Sequence, residues 1–169
     1  RRTLGVEQDI TDQKRIEAAL RESQQRFVAL DDSVPVLAWT TTADGDFDYL
    51  NRRWYEYTGQ TPDQAVGAGW IEAVHPDDCG PIYRLWQRSL RSGEPLEAEY
   101  RLRRQDGAYR WFSARASAQR DADGRIDRWF GTSSDVDEMR RLVIASENVA
   151  QRLRLATEAA QLGILEYFV

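Results

Sequence analysis

Residues 96–119 read LEAEYRLRRQDGAYRWFSARASAQ, and the period of this stretch decides the fold. Leu96, Ala98, Tyr100 and Leu102 alternate with Glu97, Glu99, Arg101 and Arg103. A period of two puts the first set on a buried sheet face and the second in water. Asp106-Gly107 follows, and Asp-Gly supplies the positive φ that a hairpin turn requires. Strand character then resumes from Ala108 to Gln119, which predicts an antiparallel pair.

Working outward, Asp44-Gly45 and Asp123-Gly124 stand between runs of the same kind. The expected strands are Val36 to Thr42, Phe47 to Asn51, Leu96 to Arg103, Ala108 to Gln119 and Arg125 to Ser134. Residues 51–93 have a different texture, with Gly59, Pro62, Gly67 and Gly69 breaking short helical pieces before a longer helix from Pro76 to Arg91. At a helix's first turn Pro76 loses no needed donor, and Asp77 and Asp78 meet the positive end of the dipole. Ile82, Leu85, Trp86 and Leu90 recur at helical spacing and give that helix an apolar face to lay on the sheet. The class is α+β: a five-stranded antiparallel sheet with a helical insertion between strands 2 and 3.

Further out still, Leu4-Gly5-Val6-Glu7-Gln8-Asp9-Ile10 resembles Phe130-Gly131-Thr132-Ser133-Ser134-Asp135-Val136 at a constant offset of 126 residues. Each copy reads strand end, glycine, aspartate, helix, the mark of a tandem array. The expected organisation is the tail strand of a preceding module at 1–10, a helical connector at 11–30 and a complete module at 31–136. A second connector follows at 137–161, and the first strand of another module at 162–169. Ile16, Leu20, Ser23, Phe27 and Leu30 step by three and four residues, as do Met139, Leu142, Ser146, Val149, Leu153 and Ala156. That is coiled-coil spacing, with one weakening serine in each seam. It predicts a parallel homodimer through the flanking helices, the alternative being a helix folded back on its own sheet.

Composition bounds the partners. The 169 residues carry 23 Lys+Arg against 28 Asp+Glu, a net charge of −5, with 41% hydrophobic and 11% aromatic content. That is a folded, water-soluble composition, and its mild acidity gives no attraction to nucleic acid. No window approaches the ~20 apolar residues of a membrane span, so no direct membrane contact is expected from this segment. One cysteine, Cys79, suits a reducing compartment, and the expected location is cytoplasmic.

Several ordered motifs then carry a family resemblance. Tyr57-Thr58-Gly59, Gly67-Ala68-Gly69-Trp70, His75-Pro76-Asp77-Asp78, Glu99-Tyr100-Arg101-Leu102-Arg103 and Asp106-Gly107-Ala108-Tyr109-Arg110-Trp111 lead to Gly124-Arg125-Ile126 and Trp129-Phe130-Gly131-Thr132. Together they resemble the PAS family, of the type with a His-Pro-Asp-Asp loop and a following PAC motif. The family's closing Asp-Ile-Thr element appears as Asp9-Ile10-Thr11 and, more loosely, as Asp135-Val136-Asp137. The resemblance implies a PAS fold flanked by signalling helices. It also implies a non-catalytic sensory and relay module of a bacterial multi-PAS signalling protein with a histidine-kinase, diguanylate-cyclase or phosphodiesterase output. No output motif is present, so any enzyme is expected elsewhere in the parent. A purely structural spacer and dimerisation unit with a filled core is the alternative.

The candidate residues follow. The six tryptophans line a ligand cavity or fill the core. For a cavity, Tyr57, Trp70, Trp86, Tyr100, Phe112 and Phe130 are the candidates, at positions expected to face inward. Asp135, Arg110 and Asp9 are the expected signal-transfer residues, Asp135 as a helix cap paired with Arg110. Ile16, Leu20, Phe27, Met139, Leu142, Val149 and Leu153 are the expected dimer-helix positions. His75, Asp77 and Cys79 lie too close along one loop to converge as a triad. A single histidine makes a poor haem or metal site, and the light-sensing branch's Asn-Cys-Arg-Phe-Leu-Gln is missing. No metal and no cofactor is expected, and the identity of any small-molecule ligand is open.

Overall fold

The structure, a computed structural model, describes residues 36–166, with side chains to 159. Asp9, Ile16, Leu20 and Phe27 lie outside the described residues, as do both N-terminal segments expected from the repeat. Five strands, β1 (Leu37–Thr42), β2 (Phe47–Leu50), β3 (Leu96–Arg103), β4 (Tyr109–Arg120) and β5 (Ile126–Asp135), form one antiparallel sheet in the order β2-β1-β5-β4-β3. The first and last strands therefore meet at the centre, with Trp39 opposite Gly131.

The three Asp-Gly pairs turn the three hairpins, and all three do so in the same way. In each, the glycine amide bonds the carbonyl three residues back, Thr42, Arg104 or Asp121, and the glycine alone has positive φ: 97°, 88° and 79°. These are three-residue loops, a type I turn followed by a left-handed glycine, not two-residue turns.

The insertion holds α1 (Arg52–Thr58), α2 (Pro62–Ala65), a 3₁₀ turn at Gly69–Ala73 and α3 (Pro76–Ser92). Asn51 caps α1 by accepting the Trp54 amide at 3.3 Å, and its own amide side chain donates to the Val36 carbonyl at 3.1 Å. At α3, Pro76 takes the first position and His75 Nδ1 accepts the Asp77 amide. Ile82 and Trp86 face the sheet, while Leu85 turns to solvent. Between helices and sheet lie Trp39, Phe47, Trp54, Trp70, Trp86, Tyr100, Phe112 and Trp129, all buried.

After the sheet, α4 runs Asp137–Glu166. Residues 162–166, expected as a strand, are thus helical. With no described strand beside them to complete a ladder, the helix satisfies their backbone from within. Every described side chain from 141 to 159 is exposed.

Candidate functional site

The space between helices and sheet and the joint where β5 becomes α4 each bring several of the expected residues together.

The first is closed by aromatic rings. Phe47 packs against Trp39 with centroids 4.8 Å apart and against Trp70 at 5.0 Å; Trp86 meets Trp129 edge-on at 5.2 Å. Polar tips are paired: Trp39 Nε1 donates to Ser133 Oγ at 3.2 Å, Tyr100 shares that hydroxyl at 3.1 Å, and Trp54 Nε1 donates to Gln60 at 3.0 Å. What remains between Trp39, Phe47, Trp54, Trp70, Trp86 and Tyr100 is a void of about 10 Å³. That is the space of about one water. Burial pushes the Tyr100 phenol up to about 12, with the Ser133 hydroxyl pulling the other way.

The second place is built from charges. Arg110 in β4 and Asp135 at the end of β5 pair at 2.9 Å, each about a third exposed. Asp135 Oδ1 also accepts the Asp137 amide at 3.0 Å, which ties the strand end to the first turn of α4. Asp137, buried, accepts the Trp111 amide at 3.2 Å and pairs with Arg141 at 2.8 Å; the Val136 amide donates to the Trp111 carbonyl at 2.9 Å. Sheet and helix are joined by these bonds before any apolar packing is counted. Beside the joint a groove of about 330 Å³ is lined by Leu37, Arg53, Glu56, Tyr57, Phe112 and Asp135. Burial, then the Asp135 charge, push the Tyr57 phenol up to about 12.

The six expected pocket residues therefore separate. Trp70, Trp86 and Tyr100 line the central void; Tyr57 and Phe112, in edge contact at 5.0 Å, face the joint groove. Phe130 does not face inward. It is 41% exposed on the outer sheet face, opposite Thr40 and Ser117, because the period of two turns its neighbour Trp129 into the core. Of the six tryptophans, Trp39, Trp54, Trp70, Trp86 and Trp129 are buried between helices and sheet, whereas Trp111 lies on the outer face opposite Arg101; the ring missed by sequence reasoning is Phe47, next to an Asp-Gly turn that fixed its strand but not its face. Asp137, which closes the loose Asp135-Val136-Asp137 element, reaches back with its carboxylate to the Trp111 amide in β4. Met139, Leu142, Val149 and Leu153 are all more than half exposed along α4.

Among the described residues no cluster of three His, Cys, Asp or Glu is placed to hold a metal, and no helix is long and apolar enough to cross a membrane. Cys79 Sγ contacts the carbonyls of Ile71, Val74 and His75, and burial, then the Asp78 charge, raise its pKa.

Comparisons with known proteins agree with this geometry. The family model described as PAS fold matches residues 47–133. An uncharacterized protein, y4lL, of Sinorhizobium fredii is 38% identical over 161 residues, covering 95% of this chain and 19% of the relative. The peroxide stress-activated histidine kinase mak1 of Schizosaccharomyces pombe is 34% identical over 110 residues, 64% of this chain and 7% of that protein. The chain thus spans a fifth or less of these relatives' length. Among solved structures, a sensory box histidine kinase/response regulator from Burkholderia thailandensis matches at 25% identity and a TM-score of 0.57, over 76% of this chain and 98% of that one.

Proposed function

The chain belongs to the PAS fold family, and from that membership we propose that it is a relay module: it passes conformational change along its helices and dimerises through them. The family is a sensory one, and the relatives include segments of histidine kinases. The observation that carries the relay reading is the joint at Asp135–Asp137, which bonds the sheet to a helix whose apolar seam is uncovered. Such a seam is stable when a second copy covers it. A cue acts on the relay by binding one helix packing more tightly than another, and a few kcal/mol of difference is enough.

In this reading the module holds no ligand in its core. A void of about 10 Å³ supports that, since ligand pockets run to about 300 Å³ and more. The signal then comes from neighbouring modules of the same cytoplasmic chain, not from a bound metabolite. A peroxide cue, as in the relative's name, would need a reactive thiolate, and the raised pKa of Cys79 works against one.

The test is sedimentation of the 169-residue chain over a range of concentration, with native mass spectrometry for adducts. We expect a reversible dimer without adduct, converted to monomer by Leu142→Glu together with Leu153→Glu. A monomer at all concentrations, or a dimer indifferent to both substitutions, overturns the helical seam; a reproducible small-molecule adduct overturns the ligand-free core.

A further inference from the structure

The joint at Arg110 and Asp135 ties β4 and β5 to the exit helix beside α1 of the insertion. A second line of contacts runs from α3 to the exit helix. On the outer sheet face Arg101 and Trp111 are directly opposed across β3 and β4. The Arg101 guanidinium lies 5.3 Å from the Trp111 ring centroid, and the Arg140 guanidinium of α4 lies over the same ring at 4.1 Å. Two cations on one indole repel each other unless each has its own anion, and each has. Asp78, in the first turn of α3, takes Arg101 in a fork, Nε and one terminal nitrogen both at 2.8 Å, and accepts the Arg101 backbone amide at 2.9 Å. Glu99 holds Arg140.

The charges thus alternate along one row: Asp78, Arg101, the electron-rich face of Trp111, Arg140, Glu99. The row starts at the amino end of α3 and reaches the first turn of α4 at Arg140, whose anion, Glu99, lies in β3. The α3 end is itself fastened to β3, because the His75 amide donates to the Arg101 carbonyl at 2.9 Å. Trp111 is fastened to the exit helix through its backbone as well, by the Val136 and Asp137 bonds. A fork between Arg and carboxylate fixes direction as well as distance, so a shift of α3 must move the Arg101 plane. That plane sits beside the ring on which Arg140 rests.

We propose that Trp111 is a relay residue: its indole, shared by Arg101 and Arg140, couples the position of α3's amino end to the direction of the exit helix. The inference rests on the relay reading and supplies it with a route. That route runs over the outside of the sheet, so a filled core is no obstacle to it. The coupling is carried by the two cation–aromatic contacts, and Asp78 and Glu99 act as positioning residues for the two guanidiniums.

A double-mutant cycle read by an intramolecular distance tests this. Spin labels go on Gln119→Cys in β4 and Glu147→Cys in α4 of the 169-residue chain carrying Cys79→Ser, diluted with unlabelled chain so that each distance is within one molecule. We expect Asp78→Asn to change the ratio of the two helix positions by roughly two- to fivefold, the weight of a half-exposed cation–aromatic contact. In a Trp111→Leu background the same change should have no further effect, and Arg140→Lys should retain most of the original distribution. If Trp111→Leu does not fold, Arg140→Gln serves as the second arm, since Arg140 sits on the surface. The inference is overturned if Asp78→Asn leaves the distribution unchanged, or shifts it equally with and without Trp111. Because the distance is intramolecular, a chain that never dimerises defeats the seam and leaves this result standing, and an unresponsive distance defeats the route while the dimer stands.

Discussion

Gly131 is where the two halves of the sheet come closest to the largest ring. A Cβ built there would lie 2.2 Å from the Trp39 indole, so Gly131→Ala must push Trp39 out of its hydrogen bond with Ser133. We expect a loss of about 1–3 kcal/mol, the usual cost of overpacking, read as a lowered urea midpoint with an unchanged slope. Tyr100 makes a second prediction at this scale. An unfolded phenol titrates near pH 10, whereas the buried one titrates at about 12. Between these values the folded state keeps a proton that the unfolded state has released, so stability falls as pH rises through the window. The loss is on the order of 2 to 3 kcal/mol by the top of it. Urea midpoints taken at increasing alkaline pH should decline, and Tyr100→Phe should flatten the decline. An equal slope in both proteins would assign it to other groups.

Among the elements, α1 depends most on a single side chain. Asn51 is fully buried, and it caps the helix with its oxygen while its nitrogen holds the Val36 carbonyl at the entry of β1. Asn51→Ala should cost about 2 kcal/mol, the upper end for a lost cap, and Asn51→Asp should recover part of it because the cap oxygen remains; denaturant titration of the pair decides this. Elements of this kind were legible where their cause is local. The three Asp-Gly pairs located every hairpin because a left-handed glycine is needed whatever surrounds it, and the apolar period of Leu96 to Leu102 gave β3 its inner face. Trp129-Phe130 was not legible in the same way: two adjacent aromatics suit either face, and only pairing with β1 and β4 sets which one goes in. Asp137 was missed for the same reason, since its partner, the Trp111 amide, is 26 residues away. The repeat places a strand at 162–166, but a strand needs a neighbour and a helix does not.

For the molecule as a whole, the sheet with its insertion and the exit helix are unequal in what stabilises them. The first has a continuous aromatic core; the second, 30 residues and about 45 Å long, is fastened to the sheet by its first turn and exposes every described side chain from Arg141 to Ala159. An isolated helix is marginal in water, since its stability normally comes from burying an amphipathic face. The two parts should therefore unfold separately unless a second copy covers the seam of Met139, Leu142, Val149 and Leu153. Hydrogen exchange on the 169-residue chain at two concentrations checks this. Core strand amides, β5 above all, should be protected equally at both. Amides beyond Arg141 should be protected at high concentration and exchange faster on dilution, with the far-ultraviolet helical signal falling in step while tryptophan emission stays constant. Protection of the distal helix that does not change with concentration would mean that it finds its cover within its own chain, and the seam would then serve the module's own fold instead of a dimer.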